Sequence, residues 1–180
     1  MLIRREQSLL LIVDIQEKLA PAILHADEVV ANTAKLIRAA KRLNVPLLAS
    51  EQYPKGLGLT VPALRELLPV DALFDKTHFS CFGEPGVAER LQQQQRRQII
   101  LCGMEAHVCV LQTAMDIQVA GYTAIVVADA VSSRRQESRD LGIARMREAG
   151  VAIVNSEMVL FEWLGQAGTP EFKALLPLIK

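Results

Sequence analysis

Short unbroken apolar runs alternate along this chain with longer segments whose apolar residues recur at helical spacing. Ser8-Leu9-Leu10-Leu11-Ile12-Val13 opens the pattern as a strand buried on both faces. Glu28 to Leu43 follows, with Val29, Leu36, Ile37, Ala40 and Leu43 on one helical stripe. Further strands are predicted at Val45–Ala49, Val70–Asp75, Ile99–Cys102, Tyr122–Val127 and Val151–Val154. The intervening helices are expected at Pro62–Leu68, Pro85–Gln95, Val108–Ala120 and Arg135–Ala149, the last stopped by Gly150. The segment from Ser156 to Lys180 also reads as helical. Strand and helix in strict alternation predict right-handed crossovers and an α/β fold, three layers α/β/α around a mostly parallel sheet of about six strands.

The polar residues that end these runs are informative. The first run stops at Asp14, the third ends at Lys76, and the fourth leads through Gly103-Met104-Glu105-Ala106-His107-Val108 to Cys109. In a parallel sheet all strands point one way, so the three side chains can converge on the carboxyl edge, where open α/β proteins place their chemistry. Cys109 is expected in the first turn of a helix, where unsatisfied N–H groups and the helix dipole favour a thiolate. Asp14 would accept the thiol proton and later return it, and the Lys76 ammonium would favour both anions. Taken singly, Cys109 also reads as a small core residue, Asp14 as a helix cap and Lys76 as a solvated lysine. Together they are the clustering of ionisable groups that marks active sites.

With these three residues in that order, and with Gln16 completing Asp14-Ile15-Gln16, the chain resembles the isochorismatase-like cysteine hydrolases. That superfamily holds nicotinamidases, N-carbamoylsarcosine amidohydrolases and ureidoacrylate hydrolases. The segments Glu51-Gln52-Tyr53-Pro54-Lys55-Gly56-Leu57-Gly58 and Gly103 to Val110 are most similar to its isochorismatase domain-containing branch. The resemblance covers nearly the whole chain and implies a Rossmann-like fold, with Cys109 as nucleophile, Asp14 as general base and Lys76 as electrostatic partner. It also implies a cis Met104–Glu105 peptide that turns the Glu105 N–H toward that of Cys109 to form an oxyanion hole, and a homo-oligomer. Gln16, Tyr53, Leu57 and Phe79 are expected to line the substrate side.

Composition narrows the picture. The 180 residues are 51% hydrophobic and no Pro/Gly/Ser-rich linker divides them, so residues 1–180 are expected to form one domain. Twenty basic and twenty acidic residues give no formal net charge, which argues against nucleic acid and anionic membranes as partners. No segment approaches the roughly 20 apolar residues needed to span a bilayer. Three cysteines outside any framework spacing fit a reducing, cytoplasmic setting.

Cofactor and metal motifs are wanting. Gly56-Leu57-Gly58 lacks a dinucleotide-binding context, and His25, His78 and His107 lack zinc-ligand spacing. Ser50-Glu51-Gln52-Tyr53-Pro54 contains none of the histidines that hold metal in nicotinamidases, so neither metal nor cofactor is expected. His107 lies two residues from Cys109 and should point away from it. Cys102 reads as packing, and Cys81 either lines the pocket or is an uninvolved loop thiol. Asp129 is expected to end the fifth strand, with Ser132 and Ser133 capping the next helix.

These readings converge on a hydrolase in which Cys109 attacks the carbonyl of a small amide, carbamoyl or related acyl compound. A binding or scaffolding protein that retains the triad is the competing class, and a thiol redox protein ranks below it.

Overall fold

The computed structural model describes residues 1–179. Six parallel strands form one sheet in the order β3-β2-β1-β4-β5-β6, with β1 Ser8–Val13, β2 Leu47–Gln52, β3 Leu73–Lys76, β4 Gln98–Met104, β5 Thr123–Ser132 and β6 Ala152–Val154. The chain winds from β1 out to the β3 edge, returns to β4 on the other side of β1, and proceeds to the β6 edge. Every residue of β1 and β4 is buried, which is why their sequences are apolar without alternation.

Side chains alternate across the sheet and create two cores. Leu10, Ile12, Ala49, Ile100 and Cys102 face α1 Ala26–Arg42, α7 Ser156–Leu164 and α8 Pro170–Ile179. Leu9, Leu11, Val13, Leu48, Ile99 and Leu101 face α4 Val87–Gln93, α5 Leu111–Val119 and α6 Gln136–Glu148. Two one-turn helices, α2 Pro54–Leu57 and α3 Pro62–Arg65, follow β2. In α1, Asp27 and Glu28 begin the helix and Lys41 and Arg42 end it, matching the helix dipole at both ends.

Several boundaries differ from the sequence expectation. β2 runs on through Ser50, Glu51 and Gln52, since these polar residues find buried partners. The third strand begins at Leu73, because Val70–Ala72 turn as a 3-10 helix after Pro69, leaving Val70 exposed. β4 does not break at Gly103. That glycine stays in the strand at φ +133°, where an added Cβ would lie 2.0 Å from the Val13 carbonyl oxygen. β5 continues past Asp129 to Ser132 with an irregular register against β4. Asp129 therefore does not end the strand: its carboxylate accepts from the N–H and hydroxyl of Ser156, the first residue of α7. The serines do not cap α6 either, since Ser132 donates to Leu24 O and Ser133 bonds His107.

Candidate active site

Asp14 is the first residue after β1 and takes a left-handed backbone conformation, φ 53°. Its N–H donates to Ser50 O at 3.2 Å, which holds the strand end against β2. Lys76 closes β3, in register with Gln52 at the end of β2. The structure brings the two charged side chains together: Lys76 Nζ lies 2.8 Å from Asp14 Oδ2, with both side chains 0% exposed.

A lysine buried this deeply needs acceptors around its whole ammonium. With Asp14 facing it as an ion pair, Nζ directs its three N–H groups to Gln52 Oε1 at 2.5 Å, His78 O at 3.1 Å and Phe79 O at 3.0 Å. The carboxylate is held at its other oxygen, where Ser50 Oγ donates to Oδ1 at 2.6 Å. Behind Ser50, the Cys81 thiol donates to Oγ at 3.5 Å. Asp14 Oδ2 has no hydrogen-bond donor apart from the facing ammonium, which leaves it open to a proton.

Cys109 lies on the same sheet edge. It sits in a π-helical turn, Ala106–Val110, between β4 and α5, the irregularity that often marks functional positions in helices. Its side chain is nearly buried, and its ionisation is opposed by the Asp14 charge and favoured by Lys76, so the three groups form one electrostatic unit. Burial and the neighbouring carboxylate together push the thiol well above its ordinary range. Desolvation and the neighbouring carboxylate thus work against the thiolate that a helix terminus would favour. Burial also raises the Asp14 carboxyl, against the opposing pull of Lys76 and Ser50.

The Met104–Glu105 peptide is cis. Glu105 points its carboxylate away from the cluster, to Arg134, whose Nε lies 3.1 Å from both oxygens and whose backbone N–H donates to Oε2 at 3.1 Å. His107 turns its Nδ1 to the buried Ser133 Oγ, 2.9 Å away, rather than to Cys109.

The residues expected on the substrate side divide into two groups. Gln16 is wholly buried and its amide is engaged with backbone: Nε2 donates to Gln52 O and Gly58 O, and Oε1 accepts from Gln52 N. It ties the β2–α2 turn to β1 and has no free polar atom to offer a ligand. Tyr53 and Phe79 are 56% exposed and adjoin Lys76 through Tyr53 N–H to Lys76 O and through Phe79 O, and Leu57, half-buried, ends α2. They are the candidates for a substrate-side wall. Cys81 does not line it, being fully buried behind Ser50 with its thiol pushed up to about 11 by burial.

Ser50, Gln52 and Arg134 escaped the sequence reading. Ser50 and Gln52 follow the second apolar run and Arg134 follows the two serines after the fifth, positions that read as loop in the sequence. Among the described residues no group of three His, Cys, Asp or Glu side chains gathers as a metal site.

Comparison with known proteins agrees with this architecture. Residues 8–158 match the isochorismatase domain model. The chain is 42% identical over 175 residues to isochorismatase domain-containing protein 2 of Xenopus laevis, covering 96% of this chain and 83% of that one. The corresponding protein of Danio rerio is 41% identical over 174 residues, covering 96% and 86%. Among solved structures, that of MAR1 ribonuclease from Caenorhabditis elegans superimposes with a TM-score of 0.94 at 40% identity, covering 99% of this chain and 92% of that one. The chain belongs to the isochorismatase domain family.

Proposed function

We propose that this protein is a cysteine hydrolase of small amide, carbamoyl or related acyl compounds. The observation that carries the reading is the buried Asp14–Lys76 ion pair, whose one undonated carboxylate oxygen belongs to the same electrostatic unit as the Cys109 thiol. Proton transfer from Cys109 to Asp14 relocates the negative charge from oxygen to sulfur within reach of Lys76 and leaves the total charge of the site unchanged. The thiolate then attacks the substrate carbonyl, and the N–H groups of Glu105 and Cys109 receive the developing oxyanion. Asp14 gives its proton to the leaving group, a thioester forms on Cys109, and Asp14 next takes a proton from the water that hydrolyses it. Tyr53, Leu57 and Phe79 wall the substrate, and Gln16 holds the turn that presents Tyr53. Lys76 and the backbone N–H groups fill the charge-stabilising roles that a metal would otherwise take, so the chemistry needs neither metal nor cofactor.

The test uses p-nitrophenyl acetate as an acyl donor. A burst of p-nitrophenol with an acetyl group on the Cys109 peptide is expected, unchanged by a chelator and abolished in Cys109→Ala. An unaltered burst in Cys109→Ala would overturn the mechanism.

The name of the Caenorhabditis elegans relative favours a second reading, cleavage of RNA. Zero formal net charge and a lysine fully engaged in the interior speak for a small neutral substrate instead. Cleavage of single-stranded RNA by the wild type, lost in both Cys109→Ala and Asp14→Asn, would move the substrate class to phosphodiesters. A homo-oligomer and a reducing compartment suit the exposed Met158, Phe161 and Leu141 and the three free thiols.

A further inference from the structure

Asp14 is gripped unequally at its two carboxylate oxygens. Oδ2 faces Lys76 and is otherwise without a donor. Oδ1 accepts the 2.6 Å hydrogen bond from Ser50 Oγ. Ser50 is 1% exposed, stands opposite Val13 in the β1/β2 register, and also receives the Asp14 N–H on its carbonyl. The hydroxyl is itself oriented. Cys81 donates to Ser50 Oγ from behind, and Cys81 is fixed by its own N–H donating to Thr113 Oγ1 on α5 at 2.9 Å. A hydroxyl that already accepts from a thiol has its proton free to give, and it gives it to Asp14 Oδ1. The relay Thr113, Cys81, Ser50, Asp14 crosses from α5 to β1 without touching solvent.

We propose that Ser50 is a positioning residue of the reaction: by occupying Oδ1 it confines the transferable proton to Oδ2 and keeps Asp14 a weak enough base to surrender that proton to a leaving group. Cys81 serves by orienting Ser50, which gives a buried thiol outside the chemistry a reason to stand there. The inference rests on the general-base role assigned to Asp14 above.

The hydrogen bond stabilises the charged carboxylate, so its removal makes Asp14 easier to protonate. The titratable groups facing Asp14 are Lys76 from β3, Cys109 from the π-helical turn and Cys81 from the loop after β3; all three remain in a Ser50 variant. The experiment is a carbon-13 carboxyl titration of the full chain, with the Asp14 resonance identified by its loss in Asp14→Asn. In Ser50→Ala the Asp14 midpoint is expected to move upward by about one pH unit. In Ser50→Cys, which keeps a weaker donor and nearly the same volume, it should move part of the way. A midpoint unmoved in both variants overturns the assignment of Ser50. The base role is tested separately in Cys109→Ala, which should also shift the Asp14 midpoint; insensitivity there would overturn the proton exchange between Cys109 and Asp14, whatever Ser50 does.

Discussion

Asp14, Lys76 and Cys109 owe their properties to being together out of water. Burial disfavours the charged carboxylate while Lys76, 2.8 Å away, and the Ser50 hydroxyl favour it, and burial together with the Asp14 charge disfavours the Cys109 thiolate. Because burial disfavours the charged carboxylate, Asp14 takes up its proton at a higher pH than an exposed aspartate. Below that midpoint it can no longer accept from Cys109. The acylation burst should therefore decline as pH falls, along a limb lying above the ordinary carboxylate range, and Asp14→Asn should remove that limb. Lys76→Met would leave the carboxylate uncompensated; a loss of about 3–5 kcal/mol of stability is expected in urea unfolding. Asp14→Asn combined with Lys76→Ala should slow turnover little more than the worse single change, since the groups act as one unit. These three residues were legible because each ends or follows an apolar run. Ser50 and Gln52 were not, since polar side chains after Ala49 read as the start of a loop, although the strand continues and buries one against Asp14 and the other against Lys76.

At the scale of elements, the placement of Cys109 depends on two close approaches of backbone. Gly103 lets β4 press on Val13 beside Asp14. Gly142 does the same for α6, which lies so near the π-helical turn that an added Cβ would sit 2.9 Å from His107 Cα. Gly142→Ala must push α6 and the turn apart, at a cost of about 1–3 kcal/mol. The predicted outcome is slower iodoacetamide labelling of Cys109 with an unchanged far-UV spectrum; a wild-type labelling rate would show that the turn keeps its place without that contact. None of this was readable beforehand. Helical spacing marks which residues face a core, but Gly142 inside a helix pattern looks like a mere weakness until the element it touches is known. The π turn was equally hidden, because one extra residue in a helical turn leaves no distinct hydrophobic period.

The whole molecule was the most legible level. Alternating runs gave the strand number, their parallel arrangement and the layers, since a two-sided apolar strand has few other places to go. Edge strands were the least accurate, as β3 has one neighbour and half-buried residues that dilute the pattern. Exposed Met158, Phe161, Leu141 and Val119 remain on the surface of the single chain. Light scattering should give a mass that is a multiple of 19.8 kDa, and a monomer at micromolar concentration would contradict the proposed assembly.

The strand order has one more result. Asp14 belongs to the earliest segment to be synthesised, whereas Cys109 arrives only after β4, and the pairing of β1 with β4 at the centre of the sheet brings their segments together. Before β4 has paired with β1, the Cys109 sulfur and the Asp14 carboxylate lie on separate segments, and neither sets the other's environment.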